Sequence, residues 1–218
     1  MIRPLFALFS LILTLSMATV QASPLGKEQG QGVLLVVGDS LSAGYGIPQG
    51  KEWVQLLQQS LDQLQSPVRV VNASISGDTT SGGLARLEPL LEREKPDWVL
   101  IELGGNDGLR GMSLSAMESN LQAMVDMVKQ QGAQPLLAGI KIPPNYGNKY
   151  RSRFEQVFVD VSKRNSVPLL PFLLDGVGGV DNLMQADRIH PNTQAQPIIA
   201  ENVLNFIEPV LATAITEK

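Results

Sequence analysis

Four short segments hold the residues that could do chemistry: GDSLS at 38–42, SISGDTT at 74–80, GGNDG at 104–108 and ADRIHPN at 186–192. Ser40 follows the apolar run Val33–Val37, so its hydroxyl sits just past a buried strand. A serine hydroxyl attacks a carbonyl only when a base removes its proton. His190 is the only histidine in the chain, so a serine–histidine mechanism at neutral pH must use it. Asp187 lies three residues before it, and Pro191 disfavours helical backbone at His190. One tight loop therefore presents both side chains. A carboxylate there can accept a hydrogen bond from one ring nitrogen and leave the other to deprotonate Ser40.

Acyl transfer also needs donors aimed at the oxyanion that develops on the carbonyl oxygen. Gly77 has no Cβ, so its N–H can approach a substrate closely. Asn106 offers a side-chain amide beside Gly104 and Gly105, and the Ser40 N–H would complete a set of three. Each segment alone is ordinary turn chemistry. The elbow Gly-x-Ser-x-Gly common in hydrolases is not met, because Ser42 occupies its last glycine position. The weight lies in the order and location of the four segments together.

Positioning these groups requires a frame. Val33–Val37, Val68–Val71, Trp98–Leu103 and Leu136–Ile140 are short apolar runs that suit strands buried on both faces. Between them, Trp53, Leu56, Leu57, Leu61 and Leu64 recur at helical spacing, as do Leu114–Val128 and Phe154–Val161. A last helix is expected from about Asn192–Thr193 to about Glu208, with Pro197 in its first turn. Strand–helix alternation predicts an α/β fold, with a central parallel sheet between helical layers. In such sheets sites form at the carboxyl ends of the strands, so the loops after the first three strands should open at one edge.

Residues 1–22 read as a secretory signal peptide: Arg3, a mostly apolar Leu5–Val20, and small residues at Val20–Ala22 for cleavage after Ala22. Residues 23–218 then form a single domain. The chain has no cysteine, which excludes thiol catalysis, disulfides and lipid attachment through cysteine. Formal net charge is −4, and −5 once the leader and its single charge are removed. An acidic surface without basic runs argues against nucleic acid and against electrostatic docking on anionic lipid. After the leader no segment is long and apolar enough to span a bilayer, so no stable membrane insertion is expected.

The four ordered segments, GDSLSAGYG, SGDTT, GGND and DRIHPN, resemble the nucleophile, glycine, asparagine and Asp–His blocks of the GDSL, or SGNH, hydrolases. LGGNDGLRG and HPNTQAQPIIAENV are most similar to the bacterial periplasmic thioesterase, lysophospholipase and arylesterase group within them. The resemblance implies a flavodoxin-like three-layer α/β/α sandwich. It implies Ser40, Asp187 and His190 as a triad, with Ser40 N–H, Gly77 N–H and the Asn106 amide as oxyanion hole. The expected reaction is cleavage of fatty acyl esters and thioesters through an acyl-enzyme, by a monomer with a small-molecule substrate and no metal or organic cofactor. Leu109, Ile140, Pro143 and Pro144 could line an acyl groove, and Phe172–Gln185 should border its mouth. Arg110 reads as a solvated loop charge. The competing hydrolase reading is a carbohydrate O-acetyl esterase. A nucleotide-binding module is disfavoured because neither G-x-G-x-x-G nor G-x-x-x-x-G-K-[ST] follows a strand.

Overall fold

A computed structural model describes residues 32–216, so the expected signal peptide lies outside the described residues. Strands β1 (Gly32–Gly38), β2 (Val68–Asn72), β3 (Trp98–Glu102), β4 (Gln134–Ala138) and β5 (Leu169–Leu170) form one sheet in the order β2-β1-β3-β4-β5. Every neighbouring pair is parallel. Val33–Val37 are all fully buried, because alternate side chains feed cores on opposite faces of the sheet. Leu34 and Val36 join the core under α2 (Trp53–Gln63) and α7 (Gln196–Thr216). Leu35 and Val37 join the core under α3 (Thr80–Glu94), α5 (Leu114–Gln130) and α6 (Asn148–Asn165). Two further helices are single turns at the sheet edge, α1 (Ser40–Ala43) and α4 (Gly105–Leu109).

This is the three-layer sandwich implied by the sequence. The chain leaves β1 for β2 on one side, and then places β3 on the other side of β1. Connections diverge at such a point and leave a crevice at the carboxyl ends of the strands. The loops carrying Ser40, Gly77 and Asn106 follow β1, β2 and β3, the three adjacent strands at that crevice.

Two elements fall outside the expected pattern, and a third differs from it in its bounds. Helix α3 was not distinguished by its periodicity, because Gly82, Gly83 and Pro89 dilute the apolar pattern. It is nevertheless capped by the Thr79 hydroxyl, which accepts from Gly82 N–H, and it buries Leu87, Leu90 and Leu91. Strand β5 is two residues long between Pro168 and Pro171, and prolines demote a strand signal. Helix α7 begins at Gln196 rather than at Asn192–Thr193. The Asn192 side chain accepts from Gln194 and Ala195 N–H and closes a separate turn first. Pro197 does fall in the first turn, but the helix runs on through Pro209 to Thr216. No described helix is long and apolar enough to cross a membrane.

Candidate active site

Ser40 opens α1, immediately after β1. The preceding Asp39 caps that single turn, its Oδ1 accepting from Leu41 N–H at 3.0 Å, and Gly44 ends it in the left-handed region at φ 75°. His190 arrives from the far end of the chain on a narrow loop. Met184 and Pro191 form an antiparallel bridge, and Gln185 N–H donates to His190 C=O at 2.7 Å. Arg188, at φ 58°, makes the reversal between them.

The structure brings the three expected residues together. His190 Nε2 lies 2.9 Å from Ser40 Oγ, and His190 Nδ1 lies 2.6 Å from Asp187 Oδ2. Asp187 Oδ1 also accepts from Ile189 N–H at 2.9 Å and His190 N–H at 3.0 Å. Partial burial works to raise the Asp187 pKa, but these hydrogen bonds and the imidazole outweigh it and hold the carboxyl at about 2. Asp187 is thus an ionised acceptor across the neutral range, suited to orient the imidazole and to balance an imidazolium.

Two residues overlooked in the sequence join the nucleophile loop to the histidine loop. Gln185 Nε2 donates to Tyr45 C=O at 2.8 Å and to Pro191 C=O at 3.0 Å. The Tyr45 ring packs on the imidazole, with centroids 4.5 Å apart. Deeper in, Gln196 accepts from Trp53 N–H at 2.9 Å, tying α7 to the start of α2. Tyr45, Gln185 and Gln196 lie within segments singled out in the sequence, but nothing local to them signals these roles, which exist only once distant segments meet.

The expected oxyanion donors are unequal. The N–H groups of Ser40 and Gly77 have no hydrogen-bond partner among the described residues, and Gly77 holds φ 81° in an exposed turn. Both hydrogens of the Asn106 amide are engaged, one with Asp39 Oδ2 at 3.0 Å and one with Asp78 C=O at 2.9 Å. Donation to a substrate oxygen requires one of these bonds to give way. Burial is the main reason that the Asp39 carboxyl is raised from 3.8 to about 6, against the hydrogen bonds from Leu41 and Asn106. Arg110 is exposed, as expected of a loop charge, yet it is not free. It donates to Gly77 C=O at 2.9 Å and approaches Asn106 Oδ1 at 3.4 Å, bridging the second and third loops.

Ser40 and His190 open on a cavity of about 590 Å³, within the range of ligand pockets. Leu109, Ile140, Pro143 and Pro144 line it as expected, whereas Gly77 does not. Phe172, Leu174, Gly178, Gly179 and Met184 border it from the segment expected at the mouth. Leu41, Ile142 and Ile189 add apolar wall that the sequence reading did not include. A base touching a hydroxyl, a carboxylate behind the base, unpaired N–H groups nearby and an apolar cavity together suit acyl transfer. Among the described residues no three His, Cys, Asp or Glu are grouped to hold a metal ion.

Comparison with known proteins gives the same direction. The model of the GDSL-like Lipase/Acylhydrolase family matches residues 36–197. The chain is 52% identical to Esterase TesA of Pseudomonas aeruginosa, over 82% of this chain and 89% of that protein. It is 47% identical to Thioesterase 1/protease 1/lysophospholipase L1 of Escherichia coli, over 82% of this chain and 84% of that protein. Among solved structures, the psychrotrophic esterase EstA from Pseudoalteromonas sp., inhibited by monoethylphosphonate, superposes with a TM-score of 0.80 at 43% identity. That match covers 84% of this chain and all of the other.

Proposed function

Since the chain belongs to the GDSL-like lipase/acylhydrolase family and is a serine esterase by that membership, we propose that Ser40, His190 and Asp187 carry its hydrolysis of fatty acyl esters and thioesters. The observation behind this reading is the continuous hydrogen-bonded line from Asp187 through His190 to Ser40, ending at an apolar cavity. His190 Nε2 takes the Ser40 proton as Oγ attacks the carbonyl carbon. The oxyanion meets Ser40 N–H, Gly77 N–H and the Asn106 amide, which leaves one of its resting partners to reach it. His190 then protonates the departing alcohol or thiol, and an acyl-enzyme remains. Water, deprotonated by the same nitrogen, releases the fatty acid and restores the serine.

The larger part of the cavity wall is apolar, which favours a fatty acyl chain; Lys141, Arg151 and Arg188 also border it and give the substrate's polar leaving group its partners. The proposal extends to export, supported by the leader-like residues 1–22, and to a monomeric enzyme.

Ser40→Ala and His190→Ala should each remove nearly all turnover of short acyl esters and keep the native circular dichroism spectrum. An organophosphonate should label the wild type and spare Ser40→Ala. Asn106→Ala should lower kcat by about 10²–10³. Wild-type turnover in either of the first two variants would sink the mechanism, and an unchanged kcat in the third would remove Asn106 from the oxyanion hole.

A further inference from the structure

The missing glycine of the serine elbow has a physical counterpart beneath the nucleophile. Glu102 ends β3, the strand beside β1, and its side chain is fully buried. Its Oε2 accepts from Ser42 Oγ at 2.5 Å and from Asp39 N–H at 3.3 Å. Among the described residues its Oε1 has no hydrogen-bond partner, and Glu102 does not line the cavity. Ser42, the residue standing where a glycine is usual, is also fully buried. The glycine that does remain, Gly38, is held to that size by the same pair. A Cβ there would lie 2.5 Å from Glu102 Oε2 and 2.7 Å from Ser42 Oγ.

Burial, with the Asp39 carboxylate close by, pushes the Glu102 pKa well above the ordinary carboxyl range. A carboxyl in this place is costly, because burying a polar group with an unsatisfied oxygen loses hydration that nothing replaces. An apolar side chain would be cheaper on this face of β3, where Leu100 enters the core under α2 and α7. What the carboxyl does instead is grip the residues on both sides of the nucleophile. Asp39 precedes Ser40 and Ser42 follows it in the same turn, which at four residues has little stability of its own.

We propose that Glu102 is a positioning residue: by accepting from Ser42 Oγ and Asp39 N–H it holds the α1 turn so that Ser40 meets His190. This rests on Ser40 being the nucleophile. Glu102 acts here as an acceptor and not as a charge, so glutamine, whose carbonyl oxygen can take the place of Oε2, is the conservative replacement. Leucine is not.

The test compares kcat, KM and the rate of organophosphonate labelling in Glu102→Gln, Glu102→Leu, Ser42→Ala and the Glu102→Leu/Ser42→Ala double variant. Glu102→Gln should retain most of kcat. Glu102→Leu should lose kcat by about 10²-fold, the scale of a reacting group misplaced by ~1 Å, with KM little changed and labelling slowed in parallel. The double variant should be no slower than Glu102→Leu, since both deletions break one contact. Wild-type kcat in Glu102→Leu overturns the proposal, and so does a Glu102→Gln enzyme as slow as the leucine variant. Should Glu102→Leu fail to fold, Ser42→Ala decides: a folded variant with unchanged kcat and labelling overturns it. Failure of the serine mechanism itself looks different, because the wild type would then not be labelled at all.

Discussion

Asp39 stands between Ser40 and Asn106, the proposed nucleophile and oxyanion donor, and its position makes its proton measurable. One carboxylate oxygen caps the turn that carries Ser40, and the other receives the Asn106 amide. Burial raises the group from 3.8 to about 6, so the native protein holds a proton that the unfolded chain has released between those values. Stability therefore falls as pH rises from about 4 to about 6 on account of Asp39. Asp39→Asn removes that titration, and its Tm should vary less steeply with pH in this window than that of the wild type. Equal slopes would show that Asp39 is not raised. Glu102 leaves some slope in both proteins. At this scale the sequence was informative where identity and short spacing suffice. A single histidine and an aspartate three residues before it leave little choice. Asp39, Tyr45 and Gln185 were not legible, because their partners lie 67, 145 and 140 residues away and residue type alone says nothing of the meeting.

Elements turn these contacts into a durable edge. Buried strands announce themselves by continuous apolar runs, which is why β1 to β4 were visible within a residue or two. Strand β5 and helix α3 were not, since prolines and paired glycines obscure them while tertiary packing still holds them. The junction of β4 with β5 shows how closely such pieces fit. Gly139 N–H donates to Leu170 C=O at 2.8 Å, and Gly139 C=O accepts from Leu173 N–H at 2.9 Å. A Cβ at Gly139 would run into the Pro171 carbonyl oxygen, which is backbone and has no rotamer to escape by. Gly139→Ala should cost about 1–3 kcal/mol, the usual penalty of overpacking. Thermal unfolding checks this, with a fall in Tm of several degrees expected. Because Ile140 follows directly and lines the cavity, KM for long-chain esters should rise as well. An alanine variant with wild-type Tm would show that β5 and its flanking loop yield readily.

Across the whole molecule, a parallel sheet with its site loops at one edge is legible from strand–helix alternation, whereas the segment at the cavity mouth is placed only through the family resemblance and its fold is not legible. Phe172–Met184 folds as turns and one short 3₁₀ segment, and no periodicity describes a wall built from loops. The export reading has its own measurement. The exported chain should begin at Ser23 by N-terminal sequencing and sediment at the mass of one mature copy. An N-terminus retained at Met1, or a sedimenting dimer, would overturn the corresponding part.

The bond between Ser40 and His190 closes a span of 150 residues. Contacts so distant in sequence pay their loop-closure entropy late, so the active centre is among the last features that a folding chain can complete. On the proposed mechanism, a chain emerging from synthesis carries its serine early, but lacks a base until α7 has docked against α2 and brought the loop before it into place. During that interval the hydroxyl is inert. On that mechanism emerging activity is a clock for the final docking of the C-terminal helix, and an unfolded chain has no means of attacking the acyl esters around it.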